Sequence, residues 1–292
     1  MSAKRILITG KNSYVGKSLV NWLGDFGDDY STECISLKDE DWVNKDFSTY
    51  DVIVHVAGIA HVSSDPNMEE MYYKVNCDLT IETAKKAKVS GVKQFIFLSS
   101  IIVYGDSSID KQVIDKNTIP SPSNFYGDSK LQAENGLRIL DRGDFKVVII
   151  RPPMIYGRNS KGNYPKLAKL SRVLPLFPDY DNNRSMLHID NLCEFIKLTI
   201  DNFESGTYFP QNKEYVKTSE LVKLISQVNG RKMHLTSIFN PLVKLLSART
   251  SLGQKVFGNL VYDKSLSEYK HDYQIRDLRE SIELTELKRR NK

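Results

Sequence analysis

The stretch Thr9-Gly10-Lys11-Asn12-Ser13-Tyr14-Val15-Gly16 decides how this chain is read. A short β-branched run, residues 5–9, leads into it. An amphipathic run, residues 14–26, leads out, with Leu19, Val20 and Leu23 as its apolar stripe. Glycine at positions 10 and 16 permits positive φ and lets backbone N–H groups approach an anion. The N-terminus of the following helix adds partial positive charge. On the first strand–helix turn of an α/β chain, the pattern predicts a loop that holds a dinucleotide pyrophosphate through Gly10, Ser13, Tyr14, Val15 and Gly16. A tight turn with no ligand is the plain alternative. Ser13 stands where a glycine is common. Its Cβ would push the ligand outward, or its hydroxyl would hydrogen-bond a phosphate oxygen.

Outward from the loop, the alternation repeats. Runs at 33–37, 51–57, 94–99 and 146–151 join 5–9 as buried parallel strands, and 67–89 and 126–140 read as further helices. Strand–helix–strand repetition predicts an α/β fold with a doubly wound parallel sheet of the Rossmann kind. Ligands of such sheets sit beyond the C-terminal ends of the strands. After Arg151 the pattern changes, punctuated by Pro152, Pro153, Pro165, Pro175, Pro178, Pro210 and Pro241. Helices are expected at 164–173, 191–202, 219–229 and 241–248, with strand pieces at 206–209 and 233–236. The expected organisation is a dinucleotide-binding domain over 1–156, rejoined by part of 187–225, and a smaller C-terminal α+β substrate-binding domain over 157–292.

Composition narrows the function classes. Among 292 residues, 41 Lys+Arg against 36 Asp+Glu leave +5, and Lys288, Arg289, Arg290 and Lys292 supply four of those charges. The body is nearly neutral, so no nucleic-acid partner is expected, and the basic tail reads as a solvated end. Cys34, Cys77 and Cys193 are far apart with no CxxC, and the five His include no HExxH and no pair at helical spacing. Neither a disulfide framework nor a metal site is expected. Lys4 and Arg5 lead directly into a strand, unlike a targeting leader, and no run approaches the ~18 apolar residues of a membrane span. A soluble cytoplasmic protein with no integral membrane segment is the expectation.

The second strand runs into Ser36, Leu37 and Lys38. An acid at that place suits a ribose 2′-OH, and a base suits a 2′-phosphate. Lys38 therefore points to NADPH over NADH, with Asp39 pulling the other way and a surface lysine as the plain alternative.

Tyr126-Gly127-Asp128-Ser129-Lys130 is the only Tyr-x-x-x-Lys in the chain. Tyr126 and Lys130 at i, i+4 share a helix face. A nearby ammonium is expected to lower the phenol pKa from ~10 toward neutrality, giving a proton donor and acceptor. Ser100 lies just past the strand ending Phe97-Leu98-Ser99. There its hydroxyl can hydrogen-bond a substrate carbonyl or the developing alkoxide. Satisfying a strand-end backbone group is its alternative.

The loop from Gly10 to Gly16 is accompanied by His55-Val56-Ala57-Gly58, Val75-Asn76, Ser99-Ser100 with Val103-Tyr104-Gly105, Tyr126 with Lys130, and Arg151-Pro152-Pro153 with Tyr156-Gly157. On these residues, from the phosphate loop to about residue 260, the chain resembles the extended short-chain dehydrogenase/reductases. This is the NAD(P)-dependent nucleotide-sugar epimerase/dehydratase/reductase family. The resemblance implies that Ala57, Gly58 and Ser99 pass close to the cofactor and that Asn76 supports the active-site strand. It also implies that Lys130 binds the nicotinamide ribose, that Pro153 and Ile155 flank the nicotinamide, and that homodimers are a common assembly.

A finer likeness is to reductases of capsule and O-antigen biosynthesis. It rests on Val92-Lys93-Gln94-Phe95-Ile96-Phe97, Met154-Ile155-Tyr156-Gly157, Gly162-Asn163-Tyr164, Arg184-Ser185-Met186-Leu187 and Phe257-Gly258-Asn259-Leu260-Val261-Tyr262. Those enzymes reduce UDP-linked 4-keto-6-deoxy-N-acetylhexosamines to UDP-N-acetyl-quinovosamine or UDP-N-acetyl-fucosamine. The 4,6-dehydratases of the family carry Asp-Glu just after the catalytic Ser/Thr. Here Ile101 and Ile102 stand there and cannot move protons. Two alternatives remain, a UDP-hexose 4-epimerase with tightly bound NAD and a non-catalytic dinucleotide sensor. The sensor has no need of Ser100, Tyr126 and Lys130 together.

The resemblance also places Arg184 and Asn163 at a nucleotide-sugar diphosphate, and a guanidinium matches phosphate geometry bidentately. A surface salt bridge is the alternative for Arg184. His188 reads equally as a ligand contact or a packed histidine, and Asp190 as a helix cap. Residues 239–262, apolar and lightly basic, are expected to form a substrate lid. A dimer contact and an amphipathic segment on a membrane are the alternatives.

Overall fold

A computed structural model of the chain describes residues 3–60, 65–108 and 113–286, without the side chains of 251 and 252. The basic tail, 288–292, lies outside the described residues. In chain order the first half contains β1 (Lys4–Thr9), α1 (Tyr14–Gly24), β2 (Tyr30–Ile35), α2 (Asp41–Asn44), β3 (Val52–His55), α3 (Glu69–Tyr72), α4 (Leu79–Val89), β4 (Gln94–Leu98), β5 (Val113–Ile114), α5 (Phe125–Leu140) and β6 (Lys146–Ile150). The second half follows with β7 (Met154–Tyr156), α6 (Asn163–Val173), β8 (Leu176–Pro178), β9 (Met186–His188), α7 (Ile189–Asp201), β10 (Gly206–Tyr208), α8 (Thr218–Val228), β11 (His234–Thr236), α9 (Asn240–Arg249), α10 (Ser251–Phe257), β12 (Val261–Tyr262) and α11 (Leu278–Glu286).

Two compact units share the chain. The first comprises residues 1–105, 119–152 and 192–209, and the second 106–118, 153–191 and 210–292. The first unit holds a six-stranded parallel sheet in the order β10-β6-β4-β3-β1-β2. The fold is α/β with a doubly wound parallel sheet, and the 206–209 piece joins it as the edge strand β10 beside β6. Strand order reverses between β1 and β3, and the crevice beyond those two strand ends is where such sheets bind ligands.

Register explains why these runs read as continuous rather than alternating. Leu7 pairs with Ile53, Ile53 with Phe95, Phe95 with Val147, and Phe97 with Ile149, all in one buried cluster. Ala84, Ala87 and Ala133 belong to the same cluster, and these small residues let α4 and α5 lie close to the sheet. Both faces of the strands are covered, so each strand is apolar throughout.

Two expectations are corrected. β2 starts at Tyr30 and ends at Ile35, earlier than 33–37, because the loop amides of Gly10 and Lys11 hold the Ile35 carbonyl at 2.9 and 3.0 Å. The expected helix 67–89 is a broken series: a 3₁₀ turn, α3, a π-helical turn over Tyr73–Asp78, then α4. The wide turn buries Asn76, whose amide ties the backbone of Ile59, accepting at 2.8 Å and donating at 3.1 Å.

The second unit packs Tyr156, Tyr164, Leu167, Val222, Ile225 and Ile282 into its own core. Short parallel pairs, β7 with β9, β8 with β11 and β5 with β12, stitch it together.

Candidate active site

The phosphate loop is built by close approach. Gly10 has φ +91°, and a Cβ there would lie 3.0 Å from the Ala57 nitrogen, so glycine lets the loop press on the chain leaving β3. Ser13 is the N-cap of α1, accepting from Gly16 N–H at 2.9 Å. The oxygen of Ser13 thus fixes the helix start, and its O–H remains available to a phosphate oxygen. The loop leads directly into the N-terminus of α1, whose partial positive charge favours an anion. Gly58 keeps a second opening, since a Cβ would sit 3.2 Å from Lys130 Nζ and 3.0 Å from Asn76 Oδ1. This cradle fits a dinucleotide. Lys38 is exposed, with its amide bonded to Ser36 Oγ at 3.2 Å.

Tyr126, Ser100 and Lys130 come together in the first unit. Asn124 caps α5 by accepting from Gly127 N–H at 3.0 Å, which puts Tyr126 in the first turn. Gly127 lets that turn rest on the 101–104 segment, because a Cβ would be 2.7 Å from the Ile102 carbonyl oxygen. The Tyr126 hydroxyl is hydrogen-bonded to Ser100. Ser100 also caps the following 3₁₀ turn, accepting from Ile102 N–H at 3.3 Å, the backbone role that is its alternative reading.

The expected lowering of the Tyr126 pKa is corrected. Burial pushes it up to about 12, against a lowering by the Ser100 bond, and Tyr72 packs edge-on at 5.8 Å. Lys130 Nζ is committed elsewhere, donating to the Leu98 carbonyl at 3.0 Å and lying 4.6 Å over the Phe97 ring. Burial lowers Lys130 to about 8, with Glu134 pulling it back up.

Beneath these residues is a charge cluster that sequence reasoning missed. Glu134, fully buried on α5, accepts from Ser99 Oγ at 2.5 Å and from Arg151 Nε and Nη2 at 2.9 and 2.5 Å. Arg151 Nη1 donates to Tyr104 at 2.6 Å. Ser99, expected at the cofactor, spends its side chain on this carboxylate because a buried anion needs every donor within reach. The missed signal was an acid four residues after Lys130 on the buried stripe Lys130, Ala133 and Leu137. His55 is buried between Thr9 and Thr80, at 3.0 Å from each hydroxyl, and burial drives its pKa down to about 3. Asn76 reaches Ser129 of α5 at 3.3 Å, tying the β3 exit to the Tyr–Lys helix.

The second unit brings Asn163 and Arg184 to one small depression, with Thr218 and Lys255 on its walls. Arg184 makes no salt bridge among the described residues; its Nη1 donates to the carbonyls of Lys255 and Gly258 at 3.0 and 3.2 Å. Burial lowers it to about 10, which leaves it cationic at neutral pH. Pro153 is buried and Ile155 half-buried at the start of this unit, Ile155 on β7 opposite Leu187. His188 is a packed histidine, lowered by burial to about 4 and edge-on to Tyr156 at 5.3 Å. Asp190 does not cap: α7 begins at Ile189, and the Asp190 carboxylate takes Arg276 at 3.3 Å. Among the described residues, no His/Cys/Asp/Glu group could hold a metal, and no helix is long and apolar enough to cross a membrane.

A parallel sheet with a glycine turn at its switch point is the architecture of dinucleotide-binding proteins, and here a Ser–Tyr–Lys group lies at a neighbouring strand end. Comparison with known proteins narrows this. Residues 6–210 match the NAD dependent epimerase/dehydratase family, and the chain belongs to it. The cofactor is accordingly a nicotinamide dinucleotide. A UDP-glucose 4-epimerase of Vibrio cholerae is 34% identical over 247 residues, covering 75% of this chain and 74% of that protein. The N-acetyl-α-D-glucosaminyl-diphospho-ditrans,octacis-undecaprenol 4-epimerase of Escherichia coli O157:H7 is 30% identical over 214 residues, 70% of this chain and 63% of that protein. A dTDP-4-dehydrorhamnose reductase structure from Clostridium acetobutylicum superposes with a TM-score of 0.76 at 18% identity, covering 99% of this chain and all of that one, a likeness of fold.

Proposed function

We propose that the protein is an NAD(P)H-dependent 4-ketoreductase acting on a UDP-linked 4-keto-6-deoxy-N-acetylhexosamine in surface polysaccharide biosynthesis. The observation that carries this reading is that the fold brings Ser100, at the cap of the turn after β4, together with Tyr126 and Lys130 on the first turns of α5. The bound nicotinamide supplies the hydride. Ser100 and Tyr126 hold the C4 carbonyl oxygen, and Tyr126 gives that oxygen its phenolic proton as negative charge develops. The phenolate then recovers a proton from solvent. Lys130 orients the cofactor ribose. Arg184 and Asn163 recognise the diphosphate. Ile101 and Ile102, both apolar, offer no group for dehydration.

The second reading is 4-epimerisation, favoured by the activity named for the two relatives above. It uses the same Ser100, Tyr126 and Lys130, with Tyr126 acting first as a base and then as an acid. Arg184 suits a diphosphate whether it is carried by uridine or by a polyprenol, as in the name of the E. coli relative.

The test offers purified protein the 4-keto sugar with NADPH or NADH and follows nicotinamide absorbance. Stoichiometric oxidation with Tyr126→Phe losing at least about 10³-fold in kcat, cofactor affinity unchanged, supports reduction. Turnover of a UDP-hexose with no added cofactor, and no oxidation of either nucleotide, supports epimerisation instead.

A further inference from the structure

We propose that α9 is a docking helix that seats on the surface of an anionic phospholipid bilayer. This helix buries only Val243 and Ser247. Phe239, Leu242, Leu245 and Leu246 are 41%, 54%, 47% and 47% exposed, and Ile238, just ahead of them, 81%. Spacings of three and four residues align them in one stripe that ends on exposed Arg249. Single exposed apolar side chains are ordinary on any surface, but a contiguous stripe on one short helix marks an interaction face. Leu176, on the strand pair β8–β11 that leads into α9, is exposed as well.

Charge selects the occupant. From residue 221 to 262 the chain contains no Asp or Glu, yet it carries Lys223, Arg231, Lys232, Lys244, Arg249 and Lys255. Arg231, Lys232, Lys244 and Arg249 are exposed. The acid beside the start of α9 is already matched: Asp179, whose carbonyl accepts from Asn240 at 2.9 Å, has its carboxylate on Lys217 at 2.8 Å. A second copy laid helix to helix would offer Lys244 and Arg249 no acid in return, because α9 carries none. A layer of anionic headgroups neutralises them while the leucines enter the headgroup–acyl boundary. Ten residues of helix span about 15 Å, far short of the ~30 Å hydrocarbon core, so α9 lies in the plane of the surface.

The stretch 239–262, expected to be a lid, thus divides its labour. α10 folds back tightly on α9, where a Cβ on Gly253 would lie 2.8 Å from the Leu246 carbonyl carbon. Carbonyls of Lys255 and Gly258, in and just after α10, hold Arg184. The docking helix is therefore joined through α10 to the arginine assigned to the diphosphate. The proposal goes beyond the reaction proposed above and does not depend on it.

The test is co-sedimentation of the full chain with vesicles of phosphatidylcholine alone, or mixed with phosphatidylglycerol, at low and high salt. Binding about tenfold or more tighter to the anionic vesicles and weakened by salt is expected. Leu242→Glu with Leu246→Glu should abolish it, and Arg231→Glu with Lys232→Glu should remove its lipid-charge dependence. Both variants should keep the wild-type melting midpoint. Equal or absent binding to the two vesicle types overturns the proposal. So does a solution dimer that the paired leucine variant splits without changing vesicle binding, which would assign the face to a second copy. No sugar substrate enters the assay, so failure of the 4-ketoreductase reading leaves its outcome untouched.

Discussion

At the scale of single residues, both units rely on buried polar groups that are kept satisfied at some cost. His55 is held neutral, its pKa lowered to about 3 by burial, and His188 is lowered to about 4. In the unfolded chain both take up a proton near pH 6.5. Below that pH the unfolded state binds more protons, so stability falls as pH drops from about 6.5 toward 4. Each histidine contributes up to about 1.4 kcal/mol per pH unit in that window. Melting midpoints measured from pH 7 to pH 4 should decline, and His55→Gln should flatten the decline. An unchanged slope in that variant would refute the assignment. Glu134 is the counterpart among anions. Replacing it by Gln leaves Arg151 charged, buried and short of its partner, a loss of about 3–5 kcal/mol. Denaturant unfolding checks this. The same variant should shift the alkaline limb of the activity profile downward, because Glu134 holds up the Lys130 pKa.

At the scale of elements, the Ser–Tyr–Lys group depends on where α5 begins. Asn124 sets the first turn and Gly127 lets it touch the Ile102 carbonyl. Gly127→Ala improves helix propensity by roughly 1 kcal/mol, yet its Cβ collides with backbone that cannot yield. The expected outcome is a protein that still folds, with kcat reduced about tenfold or more because Tyr126 is moved off Ser100. Steady-state kinetics with a far-ultraviolet dichroism control separate the two effects. The π-helical turn ahead of α4 belongs to the same scale. The apolar periodicity of 67–89 passes through it unbroken, so no pattern in the sequence marks it. Asn76 inside it needed both the Ile59 backbone and Ser129 as partners, and only a wide turn delivers that amide to both.

At the scale of the whole molecule, ligand linkage reports on cofactor choice. A dinucleotide at 100 times its Kd should stabilise the protein by about 2.7 kcal/mol. Lys38 is exposed and unencumbered enough to meet a 2′-phosphate, so NADPH should raise the melting midpoint more than NADH, and Lys38→Ala should erase the difference. Equal shifts in the wild-type chain would assign Lys38 to the solvated surface.

The sequence by itself determined the parallel sheet, its glycine turn and the candidate trio Ser100, Tyr126 and Lys130. These depend on local periods of two and 3.6 residues, on glycines where backbone must come close, and on residue types that carry protons. It also announced Arg184 and Asn163, through resemblance rather than through spacing. Tertiary structure alone decided what each polar side chain faces. It turned Ser13 into a cap, Ser99 into a donor for Glu134, and Asp190 into a partner for Arg276. It raised Tyr126 instead of lowering it, because desolvation and hydrogen bonding are set by neighbours from distant parts of the chain. It also turned the leucines of α9 outward, which no count of hydrophobic residues could foretell, since burial is a property of the packed surface and not of the side chain.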